Sequence, residues 1–283
     1  RELKNLARVE NQEIYRQEQG RKRQEQDDKR RRQEELRHSQ QLTRDLEARA
    51  RITAQLSRHQ FVIDLAALPR KITVLFLASN PRDQGHLRLD EEARAISTKI
   101  RAAEYRDSVE LRTAWAVRPG DILQALNEHK PHIVHFSGHG SESGELVFQD
   151  DAGGTKLVSS EAIVATIATV ADNVSLVVLN SCFTAQQAAA ITKHVDFAIG
   201  MADTIGDEAA RVFASNFYSA IGFGLSIQQA FDQARAALMM DGIPENEIPQ
   251  LYSGEDLDPQ AAILVRPLGV EEDDSKDVQS ASG

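Results

Sequence analysis

IVHFSGHG (133–140) and LVVLNSC (176–182) are two short, largely apolar runs that each end in polar residues. Short apolar runs of this kind are typical of strands that are buried on both faces of a parallel sheet. The first run ends in Ser-Gly-His-Gly and the second in Asn-Ser-Cys. Because neighbouring parallel strands end at the same edge of a sheet, we expect His139 and Cys182 to lie close together there.

Outside these runs, apolar strands alternate with amphipathic helices from Lys71 onward. Strands are predicted at 72–78, 109–117, 133–136, 175–179 and 197–201, with a last edge strand at 261–265 and a hairpin at 145–149 and 155–158. Helices are predicted at about 90–103, with Asp90 as N-cap, and at 119–129, 160–169, 185–193, 207–221 and 226–240. This alternation predicts an α/β fold with a mostly parallel sheet flanked by helices.

The chain divides into three parts by composition. Residues 1–65 are rich in Arg, Gln and Glu, and no apolar residue lies between Arg16 and Glu35. We expect a long charged helix or coiled coil here, serving as a partner or oligomerisation module; a solvated helix or a partly disordered linker is the alternative. Residues 70–267 form the predicted globular domain, and residues 268–283 are expected to be a disordered acidic tail.

Charge and cysteine content limit the possible functions. Residues 1–60 carry 16 Lys and Arg against 11 Asp and Glu, whereas the rest carries 17 against 32. An acidic domain is a poor binder of phosphate backbones, so nucleic acid binding is not expected. The single cysteine, Cys182, excludes an internal disulfide and favours a reducing cytoplasm. No apolar run is long enough to span a membrane, and no signal-peptide pattern opens the sequence at Arg1.

The ends of the two motifs, His139 and Cys182, supply a thiol and a base that could activate it as a nucleophile. A cysteine thiol ionises at about pH 8.5 unless a neighbouring group favours the thiolate, and the imidazole of His139 is suited to do so. A helix predicted to start near Ala185 would favour the thiolate further. The backbone N–H groups of Gly140 and Cys182 are candidate donors to a developing oxyanion.

Taken together, IVHFSGHG and LVVLNSC resemble the caspase–separase clan of cysteine peptidases, and within it the CHAT group. Further similar segments are FLASNP (76–81), LRLDEEARAI (87–96), GDEAARVFASNFYSAI (206–221) and PQLYSG (249–254). The resemblance implies a caspase-like fold, a His139–Cys182 dyad, Gly140 as oxyanion donor, protein substrates and no cofactor. It also implies a role in a bacterial signalling or defence system. Independently, Leu3, Leu6 and Val9, and later Leu42 and Leu46, form a thin apolar stripe at helical spacing, which predicts activation by a protein partner or by self-association through residues 1–65.

The sequence departs from the family pattern at Asn180. Relatives that cut after Arg or Lys tend to carry Asp at this position, so the departure leaves the substrate preference open. Asp203 and Asp207, after the strand at 197–201, are candidates to bind a basic substrate side chain; a solvated loop residue and a helix N-cap are the alternative interpretations. Asn180 completes the candidate substrate-binding set.

Other interpretations stay open at this point. His135 and His139 are spaced like metal ligands, but no third ligand is evident, so we expect no metal site and place His135 in the core. The domain is either an active peptidase, a non-catalytic caspase-like scaffold, or a flavodoxin-like domain that processes nucleotides or NAD. The presence of both His139 and Cys182 favours the peptidase.

Overall fold

A six-stranded sheet forms the centre of the domain. The computed structural model describes residues 69–265. Its strands are β1 (Ile72–Ser79), β2 (Val109–Trp115), β3 (Ile133–Gly138), β4 (Leu146–Gln149), β5 (Thr155–Val158), β6 (Leu176–Asn180), β7 (Phe197–Met201) and β8 (Pro249–Ser253). The sheet order is β2-β1-β3-β6-β7-β8, with β8 antiparallel to β7 and the other neighbours parallel, while β4 and β5 form a separate antiparallel ribbon.

Helices cover both faces of this sheet. They are α1 (Leu89–Ala102), α2 (Pro119–His129), α3 (Ser160–Ala168), α4 (Ala185–Ile191), α5 (Asp207–Gly222) and α6 (Ile227–Met240), with a short 3₁₀ turn at Arg106–Ser108. Alternate residues of each strand supply the two cores. In β1, Val74 and Phe76 pack with α1, α5 and α6, whereas Leu75 and Leu77 pack with α2, α3 and α4.

The predicted fold class is confirmed: the sheet is mostly parallel and flanked by helices. Pro119 opens α2, as its fixed φ and missing N–H favour. The expected cap of α1 was wrong, because the helix begins at Leu89 after Arg88, and Asp90 lies inside the first turn. A carboxylate in that turn still interacts favourably with the helix dipole.

The expected edge strand at 261–265 was also wrong. The edge strand is β8, whose first residue is Pro249. An edge position tolerates a proline at a strand start because no ladder N–H is lost there. Residues 261–265 make a single bridge, from Ile263 to Ser226, and their apolar character reflects the burial of Leu264 and Val265 against the helices.

Residues 1–65 and 268–283 lie outside the described residues, so the predicted coiled coil, the tail and the domain boundaries stay predictions. Between residues 69 and 265, no helix combines the length and the apolar character needed to cross a lipid bilayer.

His132, just before β3, makes the stability of this fold pH-dependent. Its Nδ1 accepts the backbone N–H of Thr73 at 3.0 Å, and burial lowers the pKa of His132 below its usual value. The folded state therefore binds fewer protons than the unfolded state, and stability should fall as pH drops through about 6.5.

We expect His132→Asn, whose side-chain oxygen can replace Nδ1 as acceptor, to flatten the loss of stability between neutral and mildly acidic pH. Urea unfolding across this range measures the effect, with the exposed His194→Asn as control. Equal pH dependence in wild type and His132→Asn would contradict the assignment.

Candidate active site

The parallel pairing of β3 with β6 brings the two motif ends together. Ser137 of β3 is the register partner of Asn180 of β6. His139 and Cys182 each follow this pair by two residues along the chain, just after β3 and β6 end. Both of these residues line one cavity at the carboxyl edge of the sheet. The structure therefore places the two residues together where the sequence predicts.

A backbone carbonyl orients the ring of His139. The ring Nε2 lies 2.7 Å from the carbonyl oxygen of Gly85, in the loop between β1 and α1. A carbonyl oxygen only accepts hydrogen bonds, so this contact assigns the proton of the neutral ring to Nε2. Nδ1 is then the basic nitrogen, with a lone pair available for a thiol proton.

Cys182 lies half-buried on a tightly fixed turn between β6 and α4. Its sulfur is free and lies 3.9 Å from the carbonyl oxygen of Ile205. The next residue, Phe183, has a φ of 57°, a left-handed conformation that is uncommon outside glycine. The buried hydroxyl of Thr184 shares its one hydrogen between the carbonyls of Leu179 and Ser181, which anchors the turn to the end of β6.

Gly140 lies against the backbone of the cysteine turn. A Cβ at this position would lie 2.1 Å from the carbonyl oxygen of Cys182 and 2.7 Å from Oγ of Ser181, too close for any side chain. Gly140 forms an isolated β-bridge with Leu146, but the backbone hydrogen bonds of this bridge are made by the residues that flank the pair. Within residues 69–265, neither the N–H of Gly140 nor that of Cys182 donates a hydrogen bond to another backbone or side-chain group.

Hydrogen-bond acceptors and apolar groups form the rest of the cavity. Its apolar lining comes from Leu87, Leu89, Ile205 and Ala210. Glu92, Asn180 and Asp207 also line it, and Oδ1 of the buried Asn180 has no hydrogen-bond partner among the described residues. The carboxylate of Asp207 accepts the backbone N–H of Arg88 at 3.2 Å.

The candidate substrate-binding residues thus occupy two places. Asn180 and Asp207 face the cavity, whereas Asp203 is exposed and is not among the lining residues. The carbonyl of Asp203 accepts the N–H of Phe183 at 3.4 Å, which joins its loop to the cysteine turn. Asp207 is the first residue of α5 and Gly206 its N-cap, so the expectation that Asp207 caps this helix was wrong.

Comparison with known proteins identifies the family. The family model described as CHAT domain matches residues 31–260. The chain belongs to the CHAT family. A protein named "Roc-COR-CHAT protease" from an unknown prokaryotic organism is 29% identical over 197 residues, covering 65% of this chain and 18% of that protein. A "Probable protease" from Gillisia limnaea is 27% identical over 150 residues, covering 52% of this chain and 26% of its own length. The chain therefore spans about a quarter or less of these relatives.

Two solved structures are among those similar to this CHAT domain. One is a secreted C11 cysteine protease from Bacteroides thetaiotaomicron in complex with an irreversible peptide inhibitor, with a TM-score of 0.46, 11% identity, and coverage of 65% of this chain and 66% of that one. The other is caspase-1 from Spodoptera frugiperda, with a TM-score of 0.45, 9% identity, and coverage of 65% and 86%.

A buried polar network adjoins the cavity, and its centre, Glu92, is a residue that was not predicted from the sequence. This glutamate of α1 is only 3% exposed. Its Oε1 lies 3.0 Å from Nε2 of His135 and 2.6 Å from Nδ2 of Asn180, and its Oε2 lies 2.5 Å from Oγ of Ser137. His135 is therefore a core residue, as expected, and between residues 69 and 265 no cluster of three metal-ligating side chains occurs.

Tyr218 closes the network on the α5 side. Its hydroxyl lies 3.1 Å from Nδ1 of His135. Burial, and then the negative charge of Glu92, raise the pKa of Tyr218 well above its usual value, so the hydroxyl stays protonated. Helical spacing was the available signal for Glu92, because the buried residues of α1 are Leu89, Glu92, Ala93, Ile96 and Ile100.

Gly140→Ala should disrupt this site. A methyl group would displace the cysteine turn, and overpacking of this kind costs about 1–3 kcal/mol of unfolding free energy. We also expect slower alkylation of Cys182 by iodoacetamide, measured by intact mass. Gly120→Ala is the matched control, because a Cβ there meets nothing within 4 Å. Unchanged stability and alkylation in Gly140→Ala would contradict the tight approach.

Proposed function

We propose that this CHAT domain is a cysteine endopeptidase with His139 and Cys182 as its catalytic dyad. The observation that carries the proposal is that both side chains line one cavity at the edge where β3 and β6 end. The carbonyl of Gly85 supports it further by leaving Nδ1 of His139 as the basic nitrogen. The names of the two relatives, both proteases, agree with this activity.

The proposed reaction is acyl transfer through a thioester. Nδ1 of His139 takes the proton of the Cys182 thiol, and the thiolate attacks the scissile carbonyl carbon. The N–H groups of Gly140 and Cys182 donate to the oxyanion that forms. The C–N bond then breaks as the leaving amine takes the proton from His139. Water, deprotonated by His139, attacks the thioester, releases the carboxylic acid product and regenerates the thiol.

The cavity beside the dyad is the proposed site for the substrate side chain that precedes the cut. Its apolar walls suit an aliphatic stem, while Asn180 and Asp207 offer oxygen acceptors. Among residues 69–265, no Lys or Arg lines the cavity, so a donor-rich Lys or Arg side chain of the substrate meets no opposing cation from this part of the chain. We assign to the exposed Asp203 a contact with the substrate outside the cavity.

The setting of this activity is also part of the proposal. We propose protein substrates, a cytoplasmic location consistent with a single cysteine, and a role in a bacterial signalling or defence system. Residues 1–65, with their thin apolar stripe, are proposed to receive an activating protein partner or to self-associate.

Labelling tests the dyad, because Cys182 is the only cysteine in the chain. A peptidyl acyloxymethyl ketone should modify wild type at Cys182, and His139→Ala should slow this by about a hundredfold or more, since the general base is lost. The exposed His194→Ala is the matched control. Host-proteome cleavage that is the same in wild type and Cys182→Ala would refute the peptidase, and instead favour a scaffold or a nucleotide-processing domain.

Substrate preference tests the cavity. In a series of fluorogenic peptides that differ only before the cut, we expect Lys or Arg to give the highest kcat/KM. Asp207→Asn should reduce that advantage by about tenfold, as expected for loss of one charge-assisted hydrogen bond. Glu208→Gln, an exposed neighbour on α5, serves as control. A wild-type preference for acidic side chains would rule out the proposed use of this cavity.

A further inference from the structure

We propose that Glu92 is a positioning residue of this active site: its one buried carboxylate fixes the separation of the two strand ends that carry His139 and Cys182. The proposal rests on the peptidase function proposed above. Glu92 itself belongs to neither strand, since it lies on α1. It acts through its hydrogen-bond partners.

Those partners lie on both catalytic strands. Ser137 precedes His139 by two residues on β3, and Asn180 precedes Cys182 by two residues on β6. The two are register partners, and Glu92 receives a hydrogen bond from each, at 2.5 Å from Ser137 and 2.6 Å from Asn180. One carboxylate therefore spans the last paired position before both catalytic residues.

Further contacts hold the carboxylate in place. His135 donates to Glu92 at 3.0 Å, and its ring stacks on Phe76 of β1 with centroids 5.0 Å apart. The other ring nitrogen contacts the hydroxyl of Tyr218 on α5. Movement of Glu92 would break its hydrogen bonds to two strands, β3 and β6, and would disturb a His135 ring that packs against β1 and α5, so its position is rigid in this packed interior.

The same network also fixes the orientation of the Asn180 side chain. Its Nδ2 donates to both Glu92 and the carbonyl of Ala210, at 2.6 and 3.2 Å. Both amide hydrogens are thereby used, and Oδ1 is left as the atom without a partner at the cavity. Glu92 thus fixes the orientation of the Asn180 side chain as well as the two strand ends.

Two substitutions distinguish the effect of the Glu92 hydrogen bonds from the effect of its negative charge. Glu92→Gln keeps the links, because its oxygen can accept from His135 and Asn180 while its amide donates to Ser137, whose hydroxyl can reverse. Glu92→Leu has similar bulk and makes none of these hydrogen bonds. Glu91→Gln is the matched control on the same helix, since Glu91 pairs outward with Arg88 and Arg211.

The experiment measures kinact and KI of the peptidyl acyloxymethyl ketone at Cys182, with thermal unfolding of each variant. We expect Glu92→Leu to lower kinact by about tenfold or more, because small misplacement of reacting groups is costly in rate. KI should change less than kinact. Glu92→Gln should restore most of the rate, and Glu91→Gln should match wild type.

Several outcomes would overturn the proposal. One is a folded Glu92→Leu with wild-type kinact; another is a Glu92→Gln as slow as Glu92→Leu, which would assign the effect to charge. If Glu92→Leu does not fold, Ser137→Ala removes the hydrogen bond to Glu92 that lies nearest to His139 on β3, and an unchanged kinact there would also overturn the proposal. A wild type that does not react at Cys182 would instead refute the peptidase function itself.

Discussion

The parallel pairing of β3 with β6 is the constraint on which the site depends. Its register matches Ile133 with Leu176 at one end and Ser137 with Asn180 at the other. A slip by one residue would turn every side chain of a strand to the opposite face. The apolar residues Val134, Phe136, Val177 and Leu179 prevent this, because they are buried together in the core beside α2, α3 and α4. The hydrophobic pattern that builds the sheet therefore also sets the relation of His139 to Cys182.

The cores on the two faces of the sheet differ in how many polar side chains they contain. The face toward α2, α3 and α4 has an almost entirely apolar core. The opposite face carries Glu92, His135 and Tyr218 among its apolar neighbours, immediately next to the site. A buried carboxylate is costly unless donors surround it, and here three donors do so. Local rules of core composition are usually broken at functional sites, and the location of this break agrees with that expectation.

Features of the fold and the site that depend on residues close together in the sequence could be predicted, whereas those that depend on distant residues mostly could not. Strand and helix positions follow from local periodicity, and the meeting of His139 with Cys182 follows from one general property of parallel sheets. The role of Glu92 was not predicted because Asp90, Glu91 and Glu92 form an acidic run that is typical of an ordinary first helical turn. Its partners His135 and Asn180 lie 43 and 88 residues away along the chain. The edge strand β8 was not predicted because residues 261–265 are more apolar, although they bury Leu264 and Val265 without joining the sheet.

The network also gives a physical reason for the asparagine at position 180. Glu92 accepts from Nδ2 of Asn180 at 2.6 Å. An aspartate there would bring a second carboxylate, with no donor, against the first, and two carboxylates at such a distance cannot both remain ionised in a buried site. With His135 and Ser137 already donating to Glu92, position 180 must supply a donor as well. The carboxylate of Glu92 also lines the cavity but is already occupied by its three donors, so a basic substrate side chain would meet the carboxylate of Asp207, which accepts the backbone N–H of Arg88.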